Sequence, residues 1–274
     1  MHDCLIVTAH ASLSFELSEL AKSHGYRVKG CVSVEQALQW LDMRSFDVIC
    51  FGDDTTPQHL QEASSLLWKK NPNAVSFVVD FNRKQETQEQ ELRLLGVQLL
   101  STLEDVSRAL KTYASHNPIS QDGFNILVVE DLESPRDIIC IFIESLGFSR
   151  VVGVHSAHEA LKLLESGEEE FSCIVTDIKM PEISGKELIE VIRKNKNLQH
   201  LPIIVLTAYG TVDTLIDCLK AGASGFLVKP PKKNDMLREL SRAIRIASGQ
   251  ESPRLASHEE AEYVRQMIES RKVI

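Results

Sequence analysis

The sequence predicts an α/β protein of two tandem doubly wound units, each a parallel five-stranded sheet with helices on both faces. Three observations carry this expectation. Strand candidates read as near-continuous apolar runs, as in NILVVED (125–131), FSCIVTD (171–177) and PIIVLTA (202–208), the pattern of strands buried on both faces of a parallel sheet. Matching pieces recur at an interval of about 122 to 125 residues, too long for a solenoid repeat and right for a duplicated domain. A chain of 274 residues is too long for one such unit and comfortable for two.

The first half opens on the strand CLIVTA (Cys4 to Ala9), passes Gly25-Tyr26, and enters a helix at Ser33 with Gln36 three positions on. FDVICFG (Phe46 to Gly52) is the next clear strand, another lies around Val97 to Leu100, and a helix is centred on Ser107 to Tyr113. Residues 114–123 are mostly polar and punctuated by Pro118 and Gly123, which reads as a surface linker. The second half then repeats the pattern. ILVVED (Ile126 to Asp131) falls on CLIVTA, Gly147-Phe148 on Gly25-Tyr26, Ser156 with Glu159 on Ser33 with Gln36, and FSCIVTD on FDVICFG.

Helix starts follow local chemistry. Ser33/Gln36, Ser156/Glu159 and Ser184/Glu187 each read as a reciprocal capping box, and Ser134-Pro135 as an N-cap followed by proline at the first helical position. GFLVKP (225–230) closes the alternation, and a last helix of this half ends near Ala247. After a break at Ser248 to Pro253, Ser257 caps a further helix with Glu260 at N3, while Arg271 and Lys272 suit its C-terminal dipole. Ala261, Val264 and Ile268 form one stripe with Met267 beside it, so this helix is expected to pack back on its own domain, with a dimer contact or a connector as alternatives. The predicted boundaries are residues 1–115, a linker at 116–123, 124–247, and a C-terminal linker and helix at 248–274.

Composition is that of a folded, non-membrane chain. The net charge of −9 is spread over both halves, which argues against nucleic acid or an anionic membrane as partner. The six cysteines lack a CxxC pair and mostly sit in apolar runs, as buried thiols of a reducing, cytoplasmic compartment do. The longest apolar stretch, Ile138 to Ile143, is far too short to span a bilayer, and no leader is expected before the first strand. The final helix is too short for a helix-turn-helix reader, so no DNA output is expected. The basic run Lys229, Lys232, Lys233, Arg238, Arg242 and Arg245 reads first as a solvated face, with protein docking as its functional alternative.

Four strand ends in the second half carry chemistry. Glu130-Asp131, Asp177, Thr207-Ala208 and Lys229-Pro230 close the four runs, and ligands of parallel sheets bind outside the carboxyl ends of the strands. Three carboxylates, an ammonium and a hydroxyl therefore converge on one rim. Crowded carboxylates repel, so either one takes up a proton or a cation holds them. Oxygen-only ligands without His or Cys point to Mg²⁺. A carboxylate beside that ion can attack phosphorus and form an aspartyl-phosphate, with Lys229 neutralising the phosphoryl charge and Thr207 donating to it.

At these residues the second half resembles the receiver domain of two-component response regulators, the CheY-like superfamily, over 124 to about 246. The acidic pair, the Asp177-Ile178-Lys179-Met180-Pro181 string with Gly185 after it, the hydroxyl residue and the Lys-Pro all stand in order. The resemblance implies a bacterial, flavodoxin-like fold of strand order 2-1-3-4-5. It implies that Asp177 accepts a phosphoryl group from a histidine kinase or histidine phosphotransfer protein. It further implies that Asp131, Asp177 and the backbone carbonyl of Lys179 bind Mg²⁺, with Glu130 assisting through water. Lys229 and Ala208 would contact the phosphoryl group, Thr207 and Phe226 would form the switch pair, and Lys179 and Tyr209 would control water access. A downstream protein target and a homodimer are the implied partners, and the chain is a signalling protein rather than an enzyme.

The first half keeps the outline and loses the chemistry. Thr8 and Ala9 stand in place of Glu130 and Asp131, Gly52 in place of Asp177, and no Lys-Pro follows Val97 to Leu100. Asp53, Asp54 and Asp80 lie nearby, yet a one-residue slip would turn Asp53 to the other face of the sheet. Residues 1–115 are therefore expected to be a degenerate receiver-like domain used for protein contact. Two other readings of the whole chain are a scaffold that never turns over phosphate and a Mg²⁺-dependent phosphohydrolase of the haloacid dehalogenase kind. The second needs an acid two residues after the nucleophile, where this chain has Lys179.

Overall fold

The computed structural model describes residues 2–81, 86–208 and 212–269. Two compact units divide the chain, Met1–Pro118 and Ile119–Ile274. Tyr209, Arg271 and Lys272, named from the sequence, lie outside the described residues.

The first unit alternates β1 (Asp3–Val7), α1 (Ala11–Ser23), β2 (Arg27–Cys31), α2 (Val34–Met43), β3 (Val48–Gly52), α3 (Pro57–Lys70), β4 (Val75–Val79), α4 (Glu86–Leu94), β5 (Gln98–Leu100) and α5 (Leu103–Ser115). Its sheet has the order β2-β1-β3-β4-β5, with every pair parallel. Alternate residues of β1 feed two cores, one on each face. Leu5 and Val7 join Phe46, Ile49, Phe51 and Trp68, while Cys4 and Ile6 join Tyr26, Cys50 and Phe77. This is the period-2 consequence of burying both faces, and it explains why no polar residue interrupts the run.

A 3₁₀ turn at Gln121–Gly123 leads into the second unit. It comprises β6 (Ile126–Val129), α6 (Glu133–Glu144), β7 (Val151–Val154), α7 (Ala157–Ser166), β8 (Cys173–Asp177), α8 (Gly185–Lys194), β9 (Ile203–Thr207), α9 (Val212–Ala221), β10 (Gly225–Val228), α10 (Lys233–Ala247) and α11 (Glu260–Glu269). The sheet runs β7-β6-β8-β9-β10, again all parallel. Both units therefore share the flavodoxin-like order 2-1-3-4-5. Ile126, Val128, Cys173, Val175, Ile204 and Leu206 pack one sheet face against Ile139, Ile143, Leu240 and Ile244 of the helices. Among the described residues no helix is long and apolar enough to cross a membrane.

Local chemistry set most helix starts, with informative departures. Ser184 and Glu187 form the full box, and Ser257 with Glu260 exchanges both bonds, at 2.6 and 3.2 Å. At the other two predicted boxes only the forward bond reaches its expected partner. Gln36 and Glu159 return instead to the amides of Val32 and His155, one residue before the cap. The Ser134-Pro135 expectation is also corrected: α6 begins at Glu133 with Leu132 at the cap position and no side-chain cap. Pro135 falls in the first turn, where its missing N–H has no intrahelical partner to lose.

The basic face is not solvated along its length. Arg238, Arg242 and Arg245 are buried, ion-paired with Asp235, Glu239 and Glu251. All six cysteines are free, and five of them are buried. Burial raises the thiol of Cys173 well above its ordinary value, and burial pushes that of Cys218 up to about 12. These groups stay protonated and act as small hydrophobes.

Phe148 is fully buried edge-on to Phe124, with ring centroids 5.9 Å apart. Phe148→Ala is expected to cost about 3–5 kcal/mol through the cavity it leaves, read as the loss of unfolding free energy in urea followed by far-ultraviolet circular dichroism.

Candidate functional site

The carboxyl ends of β6, β8, β9 and β10 build one rim. Glu130 and Asp131 follow β6, Asp177 ends β8, Thr207 ends β9, and Lys229 follows β10. Register brings these ends level: Val129 pairs with Thr176, Asp177 with Leu206, and Thr207 with Val228. The apolar runs stop where the sheet stops, so the next residues are the first free to carry polar groups.

Lys229 closes the site. Its Nζ lies 2.6 Å from Glu130 Oε2 and 2.5 Å from Asp177 Oδ1. Glu130 is 1% exposed and Asp177 9%, so Lys229 is the cation that faces both of these buried groups. Burial pulls the ammonium of Lys229 down, but the hydrogen bonds and charges of Asp177 and Glu130 outweigh it and hold the group above its ordinary value. Glu130, Asp131 and Asp177 each offer a carboxylate oxygen, and these atoms lie within 4.8 Å of one another. A hard divalent cation fits such an oxygen-only set.

Neighbouring backbone fixes the Asp177 carboxylate. Asp177 Oδ2 accepts from the amide of Lys179 at 3.0 Å. The Gly185 amide donates to Ile178 O at 3.0 Å, and a Cβ on Gly185 would run into the carbonyl of Asp177. Gly185 is therefore glycine because the start of α8 must touch the strand end. Thr207 is buried, its hydroxyl donating to Ala208 O at 3.3 Å and its carbonyl accepting from Lys229 N at 2.8 Å. Phe226 is buried on β10, in register with Val205.

The structure thus brings Glu130, Asp131, Asp177 and Lys229 together, with Thr207 and Ala208 at the adjoining strand end. Sequence reasoning missed Arg136. Its Nη1 donates to Glu130 O at 3.1 Å and so braces the turn that carries both acids. An arginine in the first turns of a helix carries no pattern that marks it out in advance.

The matching rim of the first unit is built differently. Gly52 ends β3 in register with Val79, and Val7 pairs with Phe51, as Val129 does with Thr176. Thr8, Ala9 and Gly52 therefore occupy the places of Glu130, Asp131 and Asp177, without a register slip. Any side chain at Gly52 would collide with Thr8 Oγ1 and Asp54 Oδ1. Asp54 accepts from Thr8 Oγ1 at 3.3 Å and from Ala9 N at 3.0 Å. Asp53 is exposed, 3.7 Å from His10 Nε2.

Taken together, a parallel doubly wound sheet whose C-terminal rim gathers three acids, two of them bridged by one lysine, defines a receiver-type α/β domain. The response regulator receiver domain model matches residues 126–241. "Chemotaxis protein CheY" of Pseudomonas aeruginosa is 36% identical over 105 residues, 38% of this chain and 83% of that protein. "Two-component response regulator ORR11" of Oryza sativa subsp. indica is 35% identical over 120 residues, 44% of this chain and 80% of that protein. A solved response regulator receiver domain protein from Clostridium thermocellum is 29% identical, covering 44% of this chain and 94% of its own, with a TM-score of 0.41. The chain belongs to the response regulator receiver family.

Lys229→Met leaves two buried carboxylates without their counter-charge. It is expected to lower stability on the order of 1–3 kcal/mol in chelator, with a larger recovery on adding Mg²⁺ than the unsubstituted chain shows, both read from thermal unfolding. Because the folded state raises the ammonium, its contribution is complete below the ordinary lysine range and falls away as pH rises through the raised value. The difference between the two proteins should therefore be flat on the alkaline side of neutrality and shrink only above the ordinary lysine range.

Proposed function

We propose that the second unit is a phosphoacceptor of a two-component phosphorelay, with Asp177 taking the phosphoryl group and no enzymatic turnover of a separate substrate. The observation that carries this reading is Lys229 bridging Glu130 and Asp177 beside Asp131. Asp131, Asp177 and the Lys179 carbonyl would hold Mg²⁺, with Glu130 assisting through water. The bound ion would offset charge on the incoming phosphoryl oxygens.

The donor suited to this site is a phosphohistidine on a kinase or phosphotransfer protein. One carboxylate oxygen of Asp177 forms the new P–O bond as the P–N bond breaks, and the imidazole keeps the electron pair and takes a proton from solvent. The Lys179 amide orients the Asp177 side chain for the attack. Lys229 already points at Asp177 Oδ1 and can transfer its ammonium to a phosphoryl oxygen. Phosphorylation places nearly two negative charges on the rim. Thr207 at the end of β9, with the Ala208 amide beside it, is the hydroxyl donor on the adjoining strand end that would follow that charge, and Phe226 on the next strand would repack with it. The output is a shift in the population of surfaces around β9 and β10, read by a downstream protein or a second copy of the chain.

The first unit, in this reading, is a receiver-like domain without an acceptor, serving protein contact. Asp54 and Thr8 fill the acceptor space, and no lysine follows β5.

With a small phosphodonor and Mg²⁺, Asp177→Asn is expected to lose labelling altogether, and Asp131→Asn to weaken Mg²⁺ binding at least tenfold by calorimetry. Gly52→Asp in an Asp177→Asn background is expected to gain no label. Full-rate labelling of Asp177→Asn, or phosphate on the first unit, would refute the assignment.

A further inference from the structure

The segment after α10 is bound to the receiver unit at several points. The amide of Leu255 donates to Ala223 O at 2.9 Å. Pro253 O accepts from Ser224 Oγ at 2.6 Å and from Arg193 Nη2 at 3.0 Å. The same guanidinium donates to the carbonyls of Gly222, Gln199 and Leu201. One half-buried arginine at the end of α8 thus ties together the lead-in to β9, the turn between α9 and β10, and the tail.

α11 then lies against α9. It buries Ala261, Val264, Met267 and Ile268, while α9 itself buries Leu215, Ile216, Cys218 and Leu219. Exposed ion pairs flank the seam: Arg265 with Asp213, and Lys220 with Glu262 at 3.5 Å. Pairs of this kind fix register more than they add strength.

α9 is the first element after Thr207, beginning five positions on at Val212. If Thr207 moves toward a phosphoryl group, the start of α9 is pulled with it. α9 cannot shift without carrying α11 along or breaking the seam, and α11 is tethered through Pro253 and Leu255 to residues that stay with the sheet. We infer that α11 is an intramolecular strap that holds α9 in its unphosphorylated position and loosens when Asp177 is loaded. This rests on the phosphoacceptor reading of Asp177. Linkage makes it reciprocal: whatever factor loading takes from the strap, removal of the strap returns to loading.

The test uses the full chain with Mg²⁺ and beryllofluoride. Fluorine magnetic resonance reports ligand bound at Asp177, and amide hydrogen exchange reports α11. Loading is expected to speed exchange over 260–269 at least tenfold. Val264→Asp should show fast exchange without ligand and bind beryllofluoride severalfold more tightly. Arg265→Glu, a surface change that leaves the core intact, should do the same to a smaller degree, and adding Asp213→Arg should restore the original behaviour. Bound fluoride with unchanged α11 exchange, and Arg265→Glu binding with unaltered affinity, would overturn the strap while leaving the acceptor standing. No bound fluoride at all would overturn the acceptor reading and the strap with it.

Discussion

Two carboxylates held against one ammonium at the mouth of a buried sheet are the constraint on which the rest of the second unit turns. Glu130 and Asp177 are almost out of water, where an unpaired charge costs several kcal/mol. Lys229 answers both at hydrogen-bonding distance, and its strand must therefore end level with theirs. The parallel register of β6, β8, β9 and β10 meets that requirement. Gly185 lets α8 start against the carbonyl of Asp177, and Arg136 braces the acidic turn. Packing and chemistry meet at one rim because the apolar strands deliver every polar group to the same edge.

Duplication without that constraint has a different outcome. In the first unit the same strand order and register place Thr8, Ala9 and Gly52 at the corresponding ends. With no carboxylate at the places of Glu130 and Asp177, a lysine there has nothing to answer, and Asp54 from the following turn binds the Thr8 hydroxyl and the Ala9 amide. The fold survives because its two cores rely on alternate residues of the strands and not on the rim.

Much of this was legible in the chain itself. Apolar runs announced the parallel sheets, the repeat announced two copies, and strand-end residues announced the rim, since all three depend on short stretches of sequence. What escaped depends on contacts between distant segments. Nothing in RVKGC or VVGV marks the edge strands β2 and β7, whose burial is uneven. The arginines of α10 read as a wet face until Asp235, Glu239 and Glu251 meet them in the fold. The stripe on α11 told that it packs but not on what. Its seat on α9 comes from residues as far apart as Asp213 and Arg265, 52 positions, and the tie of Arg193 to the tail spans 60.

Under the proposed phosphoacceptor role, phosphate resides on Asp177. The most direct measurement is peptide mapping of the full chain after treatment with a small phosphodonor and Mg²⁺, with borohydride reduction converting the acyl phosphate to a stable homoserine. The mark is expected on the peptide carrying Asp177 and nowhere else. A mark at Asp53, Asp54 or Asp131, or none under conditions that load other receiver domains, would contradict it.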